Sequence, residues 1–203
     1  METLFQNNLY TLDASSPIWE RIFTVAPLIV VGTREGSNYD LAPKHMATPV
    51  GFDNYFGFVC TPRHATYQNI RETQEFTVSF PMPDQILLAS LSASPRSSDT
   101  IISKPIIEVL PTSKASLIDA LYIKGSYLLL ECKLDKIVDG FGENGIIIGK
   151  IIAAHVDKNY LKVSDKDEQV QIQEYPLLAY ISKGRFAKIT ETYNFPFPKN
   201  FKR

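Results

Sequence analysis

Leu128-Leu129-Leu130-Glu131-Cys132-Lys133-Leu134, the turn Asp139-Gly140-Phe141-Gly142-Glu143-Asn144-Gly145 and the return from Ile146 to Val156 decide the fold. Leu128, Leu130, Cys132 and Leu134 share one face, opposite Leu129, Glu131 and Lys133, as successive residues of a strand must. A glycine-rich turn between two such runs predicts a long antiparallel hairpin. Gly125 and Gly149 mark positions where a curving sheet takes a bend or a bulge.

Further strands follow on the N-terminal side. Pro27-Leu28-Ile29-Val30-Val31-Gly32-Thr33 is a continuous apolar run bounded by the turn Arg34 to Asn38, the pattern of a buried strand. Tyr39 to Pro49 contains Pro43, which excludes a regular helix and predicts an ordered loop or broken strand. Tyr55 to Cys60 is aromatic and β-branched, and Glu75 to Phe80 alternates apolar and polar residues. Short helices are expected after Ser16-Pro17, over Ala65 to Glu72, and from Pro83 to Ser92. Extended pieces are expected around Ile106 to Leu110, and a basic turn, Lys183-Gly184-Arg185-Phe186, within Leu177 to Thr190. With several strands, short helices and no regular βα alternation or dinucleotide fingerprint, a mainly β barrel fits better than a doubly wound sheet.

One turn in this frame gathers chemistry. In Cys60-Thr61-Pro62-Arg63-His64-Ala65-Thr66-Tyr67-Gln68-Asn69-Ile70 a strand ends at Pro62 and a helix begins. A helix start carries unpaired N–H groups and roughly half a positive charge, so it favours a phosphate. Arg63 adds a two-pronged donor, and Thr61 and Thr66 add hydroxyls. Read alone, the stretch is either such an anion cradle or an ordinary capped turn with a solvated arginine. Ser92 to Ser98 is a second hydroxyl-rich turn, in which Ser94 and Arg96 are either phosphate contacts or solvated.

Composition narrows the rest. The 203 residues, 44% of them hydrophobic, suffice for one domain, 1–203, with a core over about 20–190 and an aromatic, proline-rich arm at 191–203. A formal net charge of -1 gives no footprint for nucleic acid or an anionic membrane, and no apolar run approaches membrane-spanning length. Cys60 and Cys132 match no metal or disulfide spacing, so a reducing cytoplasm is expected. No nucleophile elbow, HExxH or CxxC is present, so no catalytic side chain and no metal are assigned. His155, in the apolar run Ile151 to Val156, is read as a hydrogen-bonded core or pocket histidine or as a nicotinamide contact. What remains can hold a phosphorylated cofactor whose own ring performs the reaction.

Pro27 to Thr33, Leu41-Ala42-Pro43, Arg63 to Ile70, Glu75 to Ser79, Gly149-Lys150-Ile151-Ile152-Ala153-Ala154-His155-Val156, Leu177 to Tyr180 and Arg185-Phe186-Ala187 occur in this order. Over residues 20 to 190 they resemble the flavin reductase-like family with the FMN-binding split barrel. The resemblance implies a Greek-key split β-barrel and a homodimer with FMN near the subunit interface. It also implies hydride transfer from NADH or NADPH to flavin and on to a small-molecule acceptor. It implies cofactor contacts from Thr66 and Asn69, which match a Thr-x-x-Asn-Ile helix start, and from Thr61 and Arg63, where the phosphate or ribityl chain approaches; Cys60 and His64 in the same turn are taken as cofactor-binding candidates with them. Leu41, Ala42 and Pro43 match the loop whose backbone runs along the flavin ring, Lys44 beside it is a candidate contact to an anion or to the flavin ring, and His155 matches a position that in some relatives faces the nicotinamide. Where many relatives have Asn before Ala-Pro and Ser after it, this chain has Asp40 and His45. A non-catalytic flavin carrier or sensor is the competing reading, and an interaction module using the aromatic arm comes third.

Overall fold

The computed structural model describes residues 9–96, 104–163 and 165–199. In chain order it contains β1 (Ala26–Pro27), β2 (Ile29–Glu35), β3 (Asn38–Lys44), β4 (Ala47–Pro49), β5 (Tyr55–Cys60), α1 (Ala65–Thr73), β6 (Glu75–Phe80), α2 (Ile86–Leu91) and α3 (Ile106–Val109). It continues with β7 (Thr112–Lys114), β8 (Leu121–Ile123), β9 (Leu128–Phe141), β10 (Asn144–Val156), α4 (Glu168–Glu174), β11 (Leu177–Ser182) and β12 (Arg185–Ile189).

The main sheet has the order β3-β2-β6-β9-β10-β5-β4. Its two edge strands are separated in sequence only by His45 and Met46. A seven-stranded sheet whose edges must meet across so short a link has to curl, and the result is a split barrel. Pro43 and Pro49 stand on the edges β3 and β4, the positions where a missing N–H costs no ladder bond. The β9–β10 hairpin lies at the centre, with register shifts at Ile148/Gly149 and Ile151/Ala153 that bend it. Gly149 is required there: a Cβ would come within 2.5 Å of Phe76 Cζ.

Two cores flank β2. Ile29 and Val31 enter the barrel interior with Phe56, Phe58, Phe76, Val78, Leu130, Cys132 and Ile147. Leu28 and Val30 face a second core with Leu41, Ala89, Leu121, Ile123 and Leu178. Burial on both faces is why that strand reads as an unbroken apolar run. The opposite face of β9 holds a surprise at Glu131, which is fully buried. The loop after β7 covers it, with Ser116 N (2.9 Å), Ser116 Oγ (2.5 Å), Leu117 N (2.7 Å) and Ile118 N (3.1 Å) donating to its carboxylate. Burial pushes this carboxyl up, but these donors outweigh it and hold it below its ordinary range.

Three local expectations are corrected. No helix follows Ser16-Pro17; the chain runs there as turns and bends, with Trp19 64% and Phe23 78% exposed. A short helix without a surface to bury its apolar side is marginal in water. Ile106 to Leu110 forms the helical turn α3, because Ile106 and Ile107 pack on the second core. His155 lies in no core: its side chain is 55% exposed, 3.7 Å from a Glu131 carboxylate oxygen. The arm begins where Gln169 Oε1 accepts from Thr192 N and Oγ1, and Tyr193, Phe195 and Phe197 beyond it are exposed. Expectations for residues 1–8, 97–103 and 200–203 lie outside the described residues. Among the described residues no helix is long and apolar enough to cross a membrane.

Candidate functional site

Three pieces of chain converge beside the barrel seam: the end of β3 with His45 and Met46, the turn from β5 into α1, and the segment after α2. Between them lie two adjoining grooves that share Pro43, Lys44 and His64. The larger, of about 430 Å³, is lined by Asp40, Ala42, Arg63, Thr66, Ser94, Arg96 and Lys104 among others. The smaller, about 260 Å³, is lined by His45, Met46, Val59, Cys60, Thr61 and Asn144.

The polar character of the larger groove follows from local geometry. Pro62 ends β5, and the chain enters α1 through His64, whose side chain makes no cap bond, so the first-turn N–H groups have no side-chain acceptor there. The Arg63 side chain is 70% exposed and paired with Glu143 at 3.1 Å. Across the groove, Asp40 is buried and gathers three partners. Lys104 Nζ donates to Asp40 Oδ1 (3.1 Å), and Arg96 lies 3.4 Å from the same oxygen. The Thr66 hydroxyl approaches Asp40 Oδ2 at 3.5 Å. Lys104 also donates to the carbonyls of Leu41 and Ser92, each at 2.6 Å, so all three ammonium protons have acceptors. Arg96 pairs with Glu35 at 2.6 Å. The groove therefore holds cations on a carboxylate frame, fixed before any ligand arrives.

Lys44 is different: among the described residues its ammonium is in no ion pair. Burial, then the Lys44 charge, keep His45 below the ordinary imidazole range. Burial and the charges of Lys44 and Arg63 do the same to His64. Burial pushes the Cys60 thiol up, against the opposing pull of Lys44. At neutral pH the smaller groove thus presents neutral imidazoles, a thiol and one uncompensated positive charge, a setting that favours an anionic or electron-rich ligand atom.

Ala42, Pro43, Lys44, Cys60, Thr61, Arg63, His64, Thr66, Ser94 and Arg96 are brought together on these grooves. The Leu41 side chain is buried in the second core, and only its carbonyl turns to Lys104. Asn69 is buried, its amide donating to Thr33 Oγ1 at 2.9 Å, which pins α1 to β2. His155 sits at the other end of β10 from Gly145, about 30 Å of strand away. Lys104 and Asn144 carried no sequence signal; they reach the grooves only through tertiary folding. Asn144 Oδ1 accepts from the Thr61 hydroxyl at 2.9 Å, closing the floor of the smaller groove.

Phosphate chemistry fits this donor set. Thr66, Ser94, Arg63, Arg96 and the start of α1 surround a space within the ~300–1,000 Å³ typical of small-ligand sites.

Comparison with curated proteins gives no match. Among solved structures, the fold is similar to an FMN-binding protein from Thermus thermophilus (19% identity, 93% of this chain and 99% of that one, TM-score 0.74). It is similar to a flavoredoxin from Methanosarcina acetivorans (19%, 96% and 97%, TM-score 0.70). An NADH:FAD oxidoreductase from Streptomyces globisporus is a further neighbour (16%, 90% and 99%, TM-score 0.71). The model of the flavin reductase like domain matches residues 22–186, and the chain belongs to that family.

Proposed function

We propose that this protein is an FMN-binding oxidoreductase that takes hydride from NADH or NADPH and passes electrons through flavin to a small-molecule acceptor. The observation that carries the reading is the junction of the two grooves at Pro43, Lys44 and His64, polar and cationic on one side and more apolar on the other. That is the division a flavin mononucleotide requires. Thr66, Ser94, Arg63, Arg96 and the first-turn N–H groups of α1 would hold the phosphate. The Ala42 to Lys44 backbone, Cys60 and Thr61 would border the ring. When bound, FMN supplies the redox chemistry. The protein orients it and places the Lys44 charge on its border, where negative charge is favoured. The neutral His45 and His64 add no competing charge. The exposed Trp19, Phe23, Phe195 and Phe197 favour a homodimer that covers them.

Flavin fluorescence and the visible spectrum test this directly. FMN is expected to bind with quenched fluorescence, and anaerobic NADH or NADPH to bleach its absorbance. Thr66→Ala removes a hydrogen bond to a charged acceptor and should weaken binding roughly tenfold (~1.5 kcal/mol). Arg63→Ala should weaken it less, because that side chain is exposed and already paired. Unchanged affinity in Thr66→Ala would overturn the phosphate assignment. Binding without bleaching by either donor would leave the carrier reading.

A further inference from the structure

The tip of the β9–β10 hairpin is fastened by three side chains to the turn that enters α1. Asp139 accepts the Tyr67 hydroxyl between its two carboxylate oxygens, at 3.0 and 2.8 Å. Glu143 pairs with Arg63 at 3.1 Å, and Asn144 Oδ1 accepts from the Thr61 hydroxyl at 2.9 Å. Tyr67 is buried in the barrel core, so the first tie is anchored on a side chain that packing holds still. Gly145 stands opposite Asp139 in the ladder, and a Cβ there would run into Asp139 Oδ1. Glycine at this position leaves the carboxylate the room to reach Tyr67.

These ties bear on ligand binding through Arg63. It lines the larger groove, yet its guanidinium is held by Glu143, with the two side chains 70% and 74% exposed. An exposed pair of this kind is weak and gives way to a better partner. A phosphate dianion is such a partner, with more charge and the oxygens for the two-pronged contact that a guanidinium favours. The other exposed pairs Lys162–Glu168 and Lys166–Glu174 have no such consequence, because their cations line neither groove.

We propose that Glu143 is a positioning residue for phosphate binding: it occupies Arg63 in the free protein, and Arg63 exchanges this carboxylate for a phosphate oxygen when the flavin mononucleotide binds. The Tyr67–Asp139 and Thr61–Asn144 ties keep the hairpin tip docked, so Glu143 competes at the high effective concentration of an intramolecular partner. The inference rests on the FMN reading and adds to it a built-in competitor, which weakens FMN binding and leaves the ring and ribityl contacts untouched.

The test is a fluorescence-quenching titration with FMN and with riboflavin, which has the same ring and ribityl chain and no phosphate, at low and high salt. Glu143→Gln, an exposed substitution that removes only the charge, is expected to lower the FMN Kd about threefold at low salt and to steepen its salt dependence. The riboflavin Kd should stay where it was. In an Arg63→Ala background Glu143→Gln should leave the FMN Kd unchanged, because the competitor has lost its target. An unchanged or raised FMN Kd in Glu143→Gln overturns the proposal. So does a gain that persists in Arg63→Ala, which is plain repulsion between Glu143 and the phosphate, or an equal gain for riboflavin, which is a change in the shape of the groove. Should FMN fail to bind the unmodified protein, the flavin reading falls, and inorganic phosphate titrated against the Arg63 Nε–H resonance still decides the exchange. A shift in the direction produced by Glu143→Gln supports it, and an unmoved resonance overturns it.

Discussion

Asp40 offers a perturbation in which stability and ligand affinity move in opposite directions. Its carboxylate is buried between Lys104 at 3.1 Å and Arg96 at 3.4 Å. Removing one partner of a buried ion pair costs ~3–5 kcal/mol, because the other charge is left uncompensated. Lys104 keeps the Leu41 and Ser92 carbonyls and Arg96 keeps Glu35, which puts Asp40→Ala at the low end, about 3 kcal/mol. With a urea slope of ~2 kcal/mol/M, the unfolding midpoint should fall by about 1.5 M. Asp40→Asn retains an oxygen acceptor for Lys104 and should lose roughly half as much. Yet the same substitution frees a positive charge in the groove proposed for phosphate. At ~6 Å and a water-like dielectric of ~80, one unit charge contributes ~0.7 kcal/mol per unit of phosphate charge, so a dianion gains about 1 kcal/mol. FMN should therefore bind Asp40→Asn about fivefold more tightly, read by fluorescence quenching at low salt. A midpoint shift under about 0.5 M in Asp40→Ala would refute the buried-pair argument. Weaker FMN binding by Asp40→Asn would refute the electrostatic placement of the phosphate.

Other consequences concern the barrel and pH. Gly149→Ala would place a Cβ 2.5 Å from Phe76 Cζ and 3.0 Å from Cys132 Cβ, both on fully buried residues. Overpacking of ~2 kcal/mol is expected, seen as a thermal midpoint lower by about 4–8 °C, with partial recovery in Gly149→Ala/Phe76→Leu. His45 and His64 are held below their ordinary value of 6.5, first by burial and then by Lys44. The unfolded chain takes up protons near that value while the folded chain does not. Stability should be full above pH 6.5 and decline below it, and a His45→Gln/His64→Gln variant should show a shallower decline in its thermal midpoint. Equal pH slopes in the two proteins would remove these residues from the account.

The division between what the sequence reveals and what it hides follows the range of the forces involved. The β9–β10 hairpin, β2, β5, β6 and α1 were legible because each carries its own periodicity and stop signal, such as the alternation over Leu128 to Leu134 or Pro62 after Cys60. Pro43 was informative for the same local reason: it excluded a helix, and the structure puts it on an edge strand. Asp167 carries an equally local N-cap signal for α4, accepting from Gln169 N and Val170 N. The apolar side chains after Ser16-Pro17 misled, because helical spacing without a surface to bury it does not make a helix. The site was half legible. Thr66, Arg63 and the Ala42-Pro43-Lys44 loop announce themselves as donors and a backbone turn, whereas their frame does not. Lys104 lies 64 residues from Asp40 in the chain, and Glu35 lies 61 from Arg96. Such pairs leave no spacing to read. Their consequence is chemical: the cations that sequence treats as free phosphate ligands are already held by carboxylates, so a ligand must compete with Glu35 and Asp40 for Arg96. Lys44, outside that frame, is then the charge most available to a bound flavin.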